Sequence, residues 1–156
     1  MMTAKYKGGG AVNTEDVING FNAIHRQAMH DAMHATWPEA TKAMNFYYGA
    51  RSVVLYTHTS TTGERVVEVI YSEEGARMGC ILGSLAFGIT MMPVYETLRR
   101  EFPELLSVAH TDDNPVGVPP PADGDWNRQL RGLHQRTQRY DELANPLGAF
   151  RNMSKS

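Results

Sequence analysis

Two adjacent aspartates, Asp112 and Asp113, lie in a short polar segment between two apolar runs of the sequence. Paired carboxylates at a tight hairpin repel each other unless a cation lies between them. Mg²⁺ prefers such oxygen ligands and usually takes one or two carboxylates together with substrate phosphates. On turn preferences alone, an Asp-Asp-Asn segment is more typical of a solvated loop. The pair therefore predicts a metal site only if another carboxylate approaches it.

Asp16 is the candidate for that additional carboxylate, because it ends a weak strand predicted over residues 11–17. Spacing alone does not bring it to the later pair, and an aspartate in this position is also favoured as the N-cap of a helix. Glu15, its neighbour in the sequence, is expected to add like charge to any metal site there.

Four segments resemble motifs A to D of reverse transcriptases, and they occur in the order found in that family. The similarity is greatest to the non-LTR retrotransposon type. Residues 16–22 resemble motif A, an aspartate followed five residues later by an aromatic residue, and residues 74–87 resemble motif B, a glycine loop that opens a long apolar helix. Residues 109–113 resemble motif C, an aromatic-x-Asp-Asp hairpin, and residues 147–156 resemble motif D, a glycine-led strand near a lysine.

This resemblance implies the palm of an RNA-directed DNA polymerase. In such a palm, Asp16 and Asp112 would bridge two Mg²⁺ ions, with the Val17 carbonyl and Asp113 as further ligands. The ions would activate the primer 3′-hydroxyl and stabilise the leaving pyrophosphate. Lys155 would neutralise that pyrophosphate. The implied partners are an RNA template, a DNA primer and deoxynucleoside triphosphates, and phosphoryl transfer there depends mainly on positioning and charge neutralisation.

The same resemblance implies a nucleotide-binding surface. Phe21 would lie under the sugar and select deoxynucleotides, although a Phe here is equally typical of a core. Gly79, beside Met78, would let the backbone approach the incoming nucleotide. The family usually has glutamine where Met78 stands and an aromatic residue where His110 stands, and Met78 cannot donate the same hydrogen bonds.

Residues 11–156 are therefore expected to be a partial palm domain that follows a flexible lead-in over residues 1–10. Most of the fingers and all of the thumb, which grip template and primer, are missing from this pattern. We expect the chain to be inactive or incomplete by itself. The alternative is a non-enzymatic, co-opted domain that keeps the palm fold and binds nucleic acid or a protein partner weakly.

A predicted helix over residues 125–143 carries four arginines within one arc. An amphipathic helix with a solvated face is the more ordinary interpretation. The more specific hypothesis is a basic strip along a nucleic-acid backbone, although the net charge of −2 does not favour strong autonomous binding to a polyanion. The arginines are Arg128, Arg131, Arg136 and Arg139, and the predicted core side has Trp126, Leu130, Leu133 and Tyr140.

His30 and His34 are spaced i, i+4 on one predicted helical face, the spacing of a zinc-protease helix. A zinc hydrolase is therefore a further alternative, with no third ligand assigned.

The order of predicted elements, β-α-α-β-β-α-β-β-α-β, indicates an α+β fold in which an antiparallel sheet is backed by helices, as in a polymerase palm. The predicted strands are residues 11–17, 52–58, 64–71, 105–109, 116–118 and 147–151, and the predicted helices are residues 22–36, 38–48, 78–100 and 125–143. The apolar stretch over residues 78–92 is too short to span a bilayer, so no membrane partner is expected. The single cysteine, Cys80, and an N-terminus without a secretory pattern favour an intracellular location, cytoplasmic or nuclear.

Overall fold

The computed structural model describes residues 10–77, 79–109 and 113–152. Of the described residues, 50% are helical and 23% lie in strands, and antiparallel strands are backed by helices, which confirms the predicted α+β class. The strands are β1 (Ala11–Asp16), β2 (Ser52–Thr59), β3 (Arg65–Ser72), β4 (Leu106–Ser107) and β5 (Asp113–Val118). The helices are α1 (Gly20–Ala23), α2 (Arg26–Thr36), α3 (Thr41–Tyr48), α4 (Ile81–Glu101) and α5 (Trp126–Ala144).

One antiparallel sheet has the strand order β1-β5-β4. Residues of β5 alternate between exposed or half-buried and fully buried, as expected for a strand with one face on the core. Val116 and Val118 point inward and pack with Leu105, with Leu133 of α5 against them. The helices therefore cover one face of this sheet, which we call the inner face, and leave the other, the outer face, toward solvent.

Residues 150–152 lie beside the end of β1. Val17 and Arg151 form an isolated antiparallel bridge, in which the Ile18 amide donates to the Phe150 carbonyl at 2.8 Å and the Asn152 amide to the Asp16 carbonyl at 2.7 Å. The strand predicted over residues 147–151 is thus reduced to a few residues, but it lies directly beside the end of β1.

Helix α4 forms the centre of the main core and packs against α2 and α5. Phe87, Met91 and Leu98 are buried along it. By length and composition α4 could also cross a membrane. A core helix of a globular domain meets the same criterion, so this feature carries no argument for a membrane span.

Strands β2 and β3 form a separate two-stranded hairpin, as predicted, with all eight residues of each strand paired. Arg26 of α2 attaches its base to the helices: Nε donates to the Gly75 carbonyl at 3.0 Å, and the two terminal nitrogens donate to the Ser72 carbonyl and hydroxyl. Burial, and the nearby Arg77, lower the pKa of this guanidinium.

The helix predicted over residues 22–36 is interrupted. Asn19 adopts a left-handed conformation with φ of 46° and turns the chain from β1 into the single turn α1, and extended backbone at Ile24 and His25 separates α1 from α2. This interruption lets the Ile24 carbonyl accept from the Gly75 amide at 3.0 Å. Residues 24 and 75 are far apart in the sequence, so no local sequence pattern predicts this hydrogen bond.

Candidate active site on the sheet

Asp16 and Asp113 are direct cross-strand partners at the end of the β1–β5 ladder. Side chains of directly opposed residues share a face, with Cβ atoms about 5 Å apart. The inward-facing neighbours of both residues are buried, so the two carboxylates project from the outer face. The structure thus brings together one early and one late aspartate, separated along the chain by most of its length.

Asn152 orients the first of these carboxylates, since its side-chain amide donates to Asp16 Oδ2 at 3.2 Å. The bridge beside it uses the Asp16 carbonyl and the Ile18 amide. The Asp16 and Asp113 carboxylates therefore project from the same end of the sheet, whereas the Val17 carbonyl stays a ligand implied by the resemblance alone.

These oxygens suit Mg²⁺, which takes carboxylate and carbonyl ligands at about 2.0–2.1 Å. Opposed carboxylates destabilise a strand pair by repulsion, and a divalent cation between them would remove that cost. Within residues 10–77, 79–109 and 113–152, no three His, Cys, Asp or Glu side chains cluster as a metal site. Asp112, the third predicted carboxylate, lies outside the described residues, as do Met78, His110 and Lys155.

Glu15 corrects one expectation, since it adds no charge to the outer face. Its side chain is 0% exposed and points inward, where Arg136 Nη1 donates to Oε2 at 2.7 Å. The Asn114 side-chain amide donates to the same oxygen at 2.8 Å, and the Thr137 hydroxyl donates to Oε1 at 3.1 Å. Ser107 completes the network, because its hydroxyl accepts from Arg136 Nη2 at 2.9 Å and donates to Asn114 Oδ1 at 2.8 Å.

Arg136 is therefore not part of a basic strip, and its assignment as a nucleic-acid-binding residue is wrong. The guanidinium is 1% exposed, which prevents contact with a polymer in solution. The buried side of α5 consists of Arg136, Tyr140 and Ala144, whereas Leu130, predicted for the core side, is half exposed. A sequence prediction places a charged helix residue toward solvent. Arg136 faces the core instead because Glu15, on another element, supplies a buried carboxylate.

The other three arginines of α5 lie toward the surface. Arg128 pairs with Asp123 at 2.9 Å, and Arg139 pairs with Glu101 and Glu142 at 3.0 and 2.9 Å. The hydrogen bonds that Arg139 donates to Glu101 and Glu142 raise the pKa of its guanidinium. Arg131 is exposed. Neighbouring carboxylates thus offset much of the positive charge on this face.

The predicted nucleotide-binding segments are also joined to each other. The Phe21 carbonyl accepts a hydrogen bond from the Ala76 amide, and the Phe21 ring packs against Phe87 of α4 with centroids 5.0 Å apart. Phe21 is only partly buried against that core. This arrangement leaves both interpretations of Phe21 open, since a packed ring can still present one edge to a ligand.

Two glycines shape the loop that precedes α4. Gly75 has φ of +72°, and a Cβ there would collide with the backbone of Asn22. Gly79 has φ of +77°, but a Cβ would meet nothing within 4 Å. Gly79 is exposed and has open space where a Cβ would lie, whereas Gly75 packs closely against Asn22; the nucleotide-binding role of Gly79 stays a prediction. Sequence reasoning assigned no role to Gly75, because a glycine before a helix carries no sign of the segment it must touch.

Cys80, at the N-cap of α4, is a further reactive group that the sequence did not single out. A hydrogen bond from the Tyr48 hydroxyl, together with the Gly83 and Leu82 amides and the charge of Arg77, lowers the pKa of the thiol. Burial raises the pKa of Tyr48. The Cys80 thiol is therefore expected to lose its proton more readily than an ordinary cysteine thiol.

The zinc alternative gains no support from the described part of the chain. The rings of His30 and His34 are stacked with centroids 6.3 Å apart. His30 Nδ1 lies 3.5 Å from Asp31, and His34 Nδ1 lies 3.4 Å from the Thr41 hydroxyl. No third ligand among these residues joins them.

Two grooves lie elsewhere than on the outer face. One of about 360 Å³ is bounded by Arg26, Tyr48 and Arg51 at the base of the hairpin. The other, of about 330 Å³, runs along α4 past Gly88 to Ser107 on the helix side of the sheet. Neither groove is lined by Asp16 or Asp113. The sequence matches no protein-family profile, and no curated protein is significantly similar to it.

Proposed function

We propose that this chain is the palm of an RNA-directed DNA polymerase whose carboxylates hold two Mg²⁺ ions for nucleotidyl transfer. The observation that carries this proposal is the register of β1 on β5, in which Asp16 stands opposite Asp113. The motif order of the sequence suggested that these aspartates share a site. Their common face and the Asn152 hydrogen bond support the same arrangement independently.

The resemblance to motifs A to D gives each of these residues a role. Asp16 and Asp113, with the Val17 carbonyl and with Asp112 beside them in sequence, would hold the ions. When bound, the Mg²⁺ ions lower the pKa of the primer hydroxyl and neutralise the leaving pyrophosphate. Asn152 keeps the Asp16 carboxylate in one orientation. Phe21 and the Gly79 backbone would bound the nucleotide, and Lys155 would neutralise the pyrophosphate.

The outward-facing residues of β1 and β5 that the structure describes are exposed or half-buried, which fits a polymeric substrate, because a primer–template duplex needs a surface. Gripping that duplex requires positive charge, whereas Arg128 and Arg139 are engaged with carboxylates. We therefore expect weak duplex binding by the chain alone. This observation favours the second candidate, a palm-fold domain that binds metal and a partner but does not polymerise.

Metal binding by purified protein tests the first step. Mn²⁺, followed by electron paramagnetic resonance, should bind the wild type and bind Asp16→Asn and Asp113→Asn at least about tenfold more weakly, because each loses one carboxylate ligand. Asp31→Asn is the matched control, an exposed carboxylate on α2 that bonds Gln27, and should behave as wild type. Equal Mn²⁺ affinity in all four proteins would refute the proposed site.

Primer extension separates the two candidates. A primed RNA template with Mg²⁺ and deoxynucleotides should be extended by wild type and not by Asp113→Asn if the chain polymerises. Mn²⁺ binding that depends on Asp16, without extension, would assign the chain to the non-polymerising class.

A further inference from the structure

We infer that the buried Glu15–Arg136 network sets the register of β1 on β5, so that Arg136 is a positioning residue for Asp16 and Asp113. This inference rests on the proposed function only for what the two aspartates bind. The network joins each strand of the sheet to α5: Glu15 lies on β1, Asn114 on β5, Ser107 on β4, and Arg136 on α5.

The network lies directly behind the aspartates. Glu15 is opposite Asn114 in the ladder, one pair away from Asp16 opposite Asp113. Since successive residues of a strand point to opposite faces, the Glu15–Asn114 pair occupies the inner face and the aspartate pair the outer face. The 2.8 Å hydrogen bond between the Asn114 and Glu15 side chains therefore forms in the same register that places Asp16 opposite Asp113.

A slip of one residue would exchange these roles. It would turn Glu15 toward solvent and Asp16 toward the helices, leaving Arg136 with a carboxylate one atom shorter and removing Asp16 from the outer face. The fold thus distinguishes the two adjacent acids, Glu15 and Asp16, by side-chain length and by the Arg136 guanidinium, which lies on the inner face of the sheet.

Local sequence does not enforce this register. β1 reads Ala-Val-Asn-Thr-Glu-Asp, and β5 contains Pro115 and Gly117, residues that weaken strands. A buried ion pair also adds little net stability compared with apolar residues of similar volume, and selecting one register is its best-attested use. The network is therefore better explained by alignment than by stability.

The test replaces both charges at once, in Glu15→Leu/Arg136→Met, so that no buried charge is left unpaired. Glu101→Leu/Arg139→Met is the matched control, because it makes the same two substitutions in an ion pair at the surface. The strand register is read from cross-strand nuclear Overhauser effects between β1 and β5, and stability from urea unfolding. Mn²⁺ affinity is measured on the same samples.

We expect the buried double variant to unfold near the wild-type urea midpoint, yet to show mixed or shifted β1–β5 cross-peaks and at least tenfold weaker Mn²⁺ binding. The control should keep the wild-type cross-peaks and affinity. A single wild-type register in the buried variant would overturn the inference, because a merely structural pair would leave the alignment unchanged.

A second variant covers failure of the first to fold. Arg136→Lys keeps the charge beside Glu15 but loses the second nitrogen that reaches Ser107, and we expect it to fold with a measurable population of slipped register. One register at wild-type Mn²⁺ affinity in this variant would also overturn the inference. If wild type binds no Mn²⁺, the proposed function fails, while the cross-peaks still decide the register.

Discussion

The β1-β5-β4 sheet and the β2–β3 hairpin are both antiparallel, but different forces hold them. The hairpin strands are rich in valine, isoleucine and tyrosine, the residues that favour strands locally. Nevertheless Leu55 remains 65% exposed and Val69 53% exposed. The sheet strands have poor local preferences, and they carry buried valines, a buried ion pair and the candidate site. Local propensity thus accounts for the hairpin, and tertiary contacts account for the site.

Breaking the buried pair should give the largest effect. Arg136→Met leaves the Glu15 carboxylate buried without its cation, so we expect a loss of about 3–5 kcal/mol in the free energy of unfolding. Arg139→Met, in an exposed pair, should cost at most about 1 kcal/mol. Urea denaturation at pH 7 measures both. Equal losses would mean that Glu15 finds another partner or water.

The glycines give the next contrast. Gly75→Ala forces an unfavourable φ and a collision with the backbone of Asn22, so we expect about 3 kcal/mol of destabilisation. Gly63, in the hairpin turn, also has positive φ but has nothing within 4 Å of a Cβ, and Gly63→Ala should cost about 1 kcal/mol. Thermal unfolding of both variants measures the difference. Similar losses in the two variants would show that the positive φ alone sets the cost, and that the backbone near Asn22 shifts to make room for the new Cβ.

The β2–β3 hairpin and the β1-β5-β4 sheet also differ in how well the sequence predicts their structure. The hairpin, α4 and α5 were predicted within a few residues, because β-branched runs and helical periodicity are local signals. In the structure, Asp125 also caps α5, since its Oδ1 accepts from the Asn127 and Arg128 amides. The fold class followed from the order of these elements.

The site was less accessible to sequence reasoning. Motif resemblance drew attention to Asp16 and to the Asp112–Asp113 pair, with Asp112 as the main partner of Asp16. The register that places Asp113 opposite Asp16 depends on partners far apart in the chain, such as Glu15 and Arg136. Pro115 concealed most of β5, because a proline argues against a central strand. A basic residue facing the core cannot be recognised until its carboxylate is known, and for that reason Arg136 was assigned to the wrong surface.

The same substitution in the two regions should separate core from surface. Val116→Ala removes two carbons from a side chain that is 0% exposed, and we expect a loss of about 2 kcal/mol. Val69→Ala on the hairpin should change stability by less than about 0.5 kcal/mol. Urea titration of the pair provides the measurement. A larger loss for Val69 would reveal that the hairpin face is covered in solution.

The smallest expected effect concerns pH and the core behind the sheet. Burial raises the pKa of the Tyr140 phenol, while the unfolded value is about 10. Since the folded pKa is the higher one, this stability is fully present below pH 10 and is lost above it, as the unfolded chain releases a proton that the folded chain retains. Linkage gives a loss of about 0.4 kcal/mol between pH 8 and pH 10, and a steeper one beyond.

Tyr140→Phe removes that proton and should flatten the alkaline limb of the stability curve relative to wild type. Urea unfolding at several pH values between 8 and 11 measures the slope, and absorbance near 295 nm follows tyrosine ionisation in the folded protein. Parallel curves for wild type and variant would mean that water reaches the Tyr140 hydroxyl. The helices would then cover the inner face of the sheet less tightly than its buried valines indicate, and the contrast with the exposed hairpin would weaken.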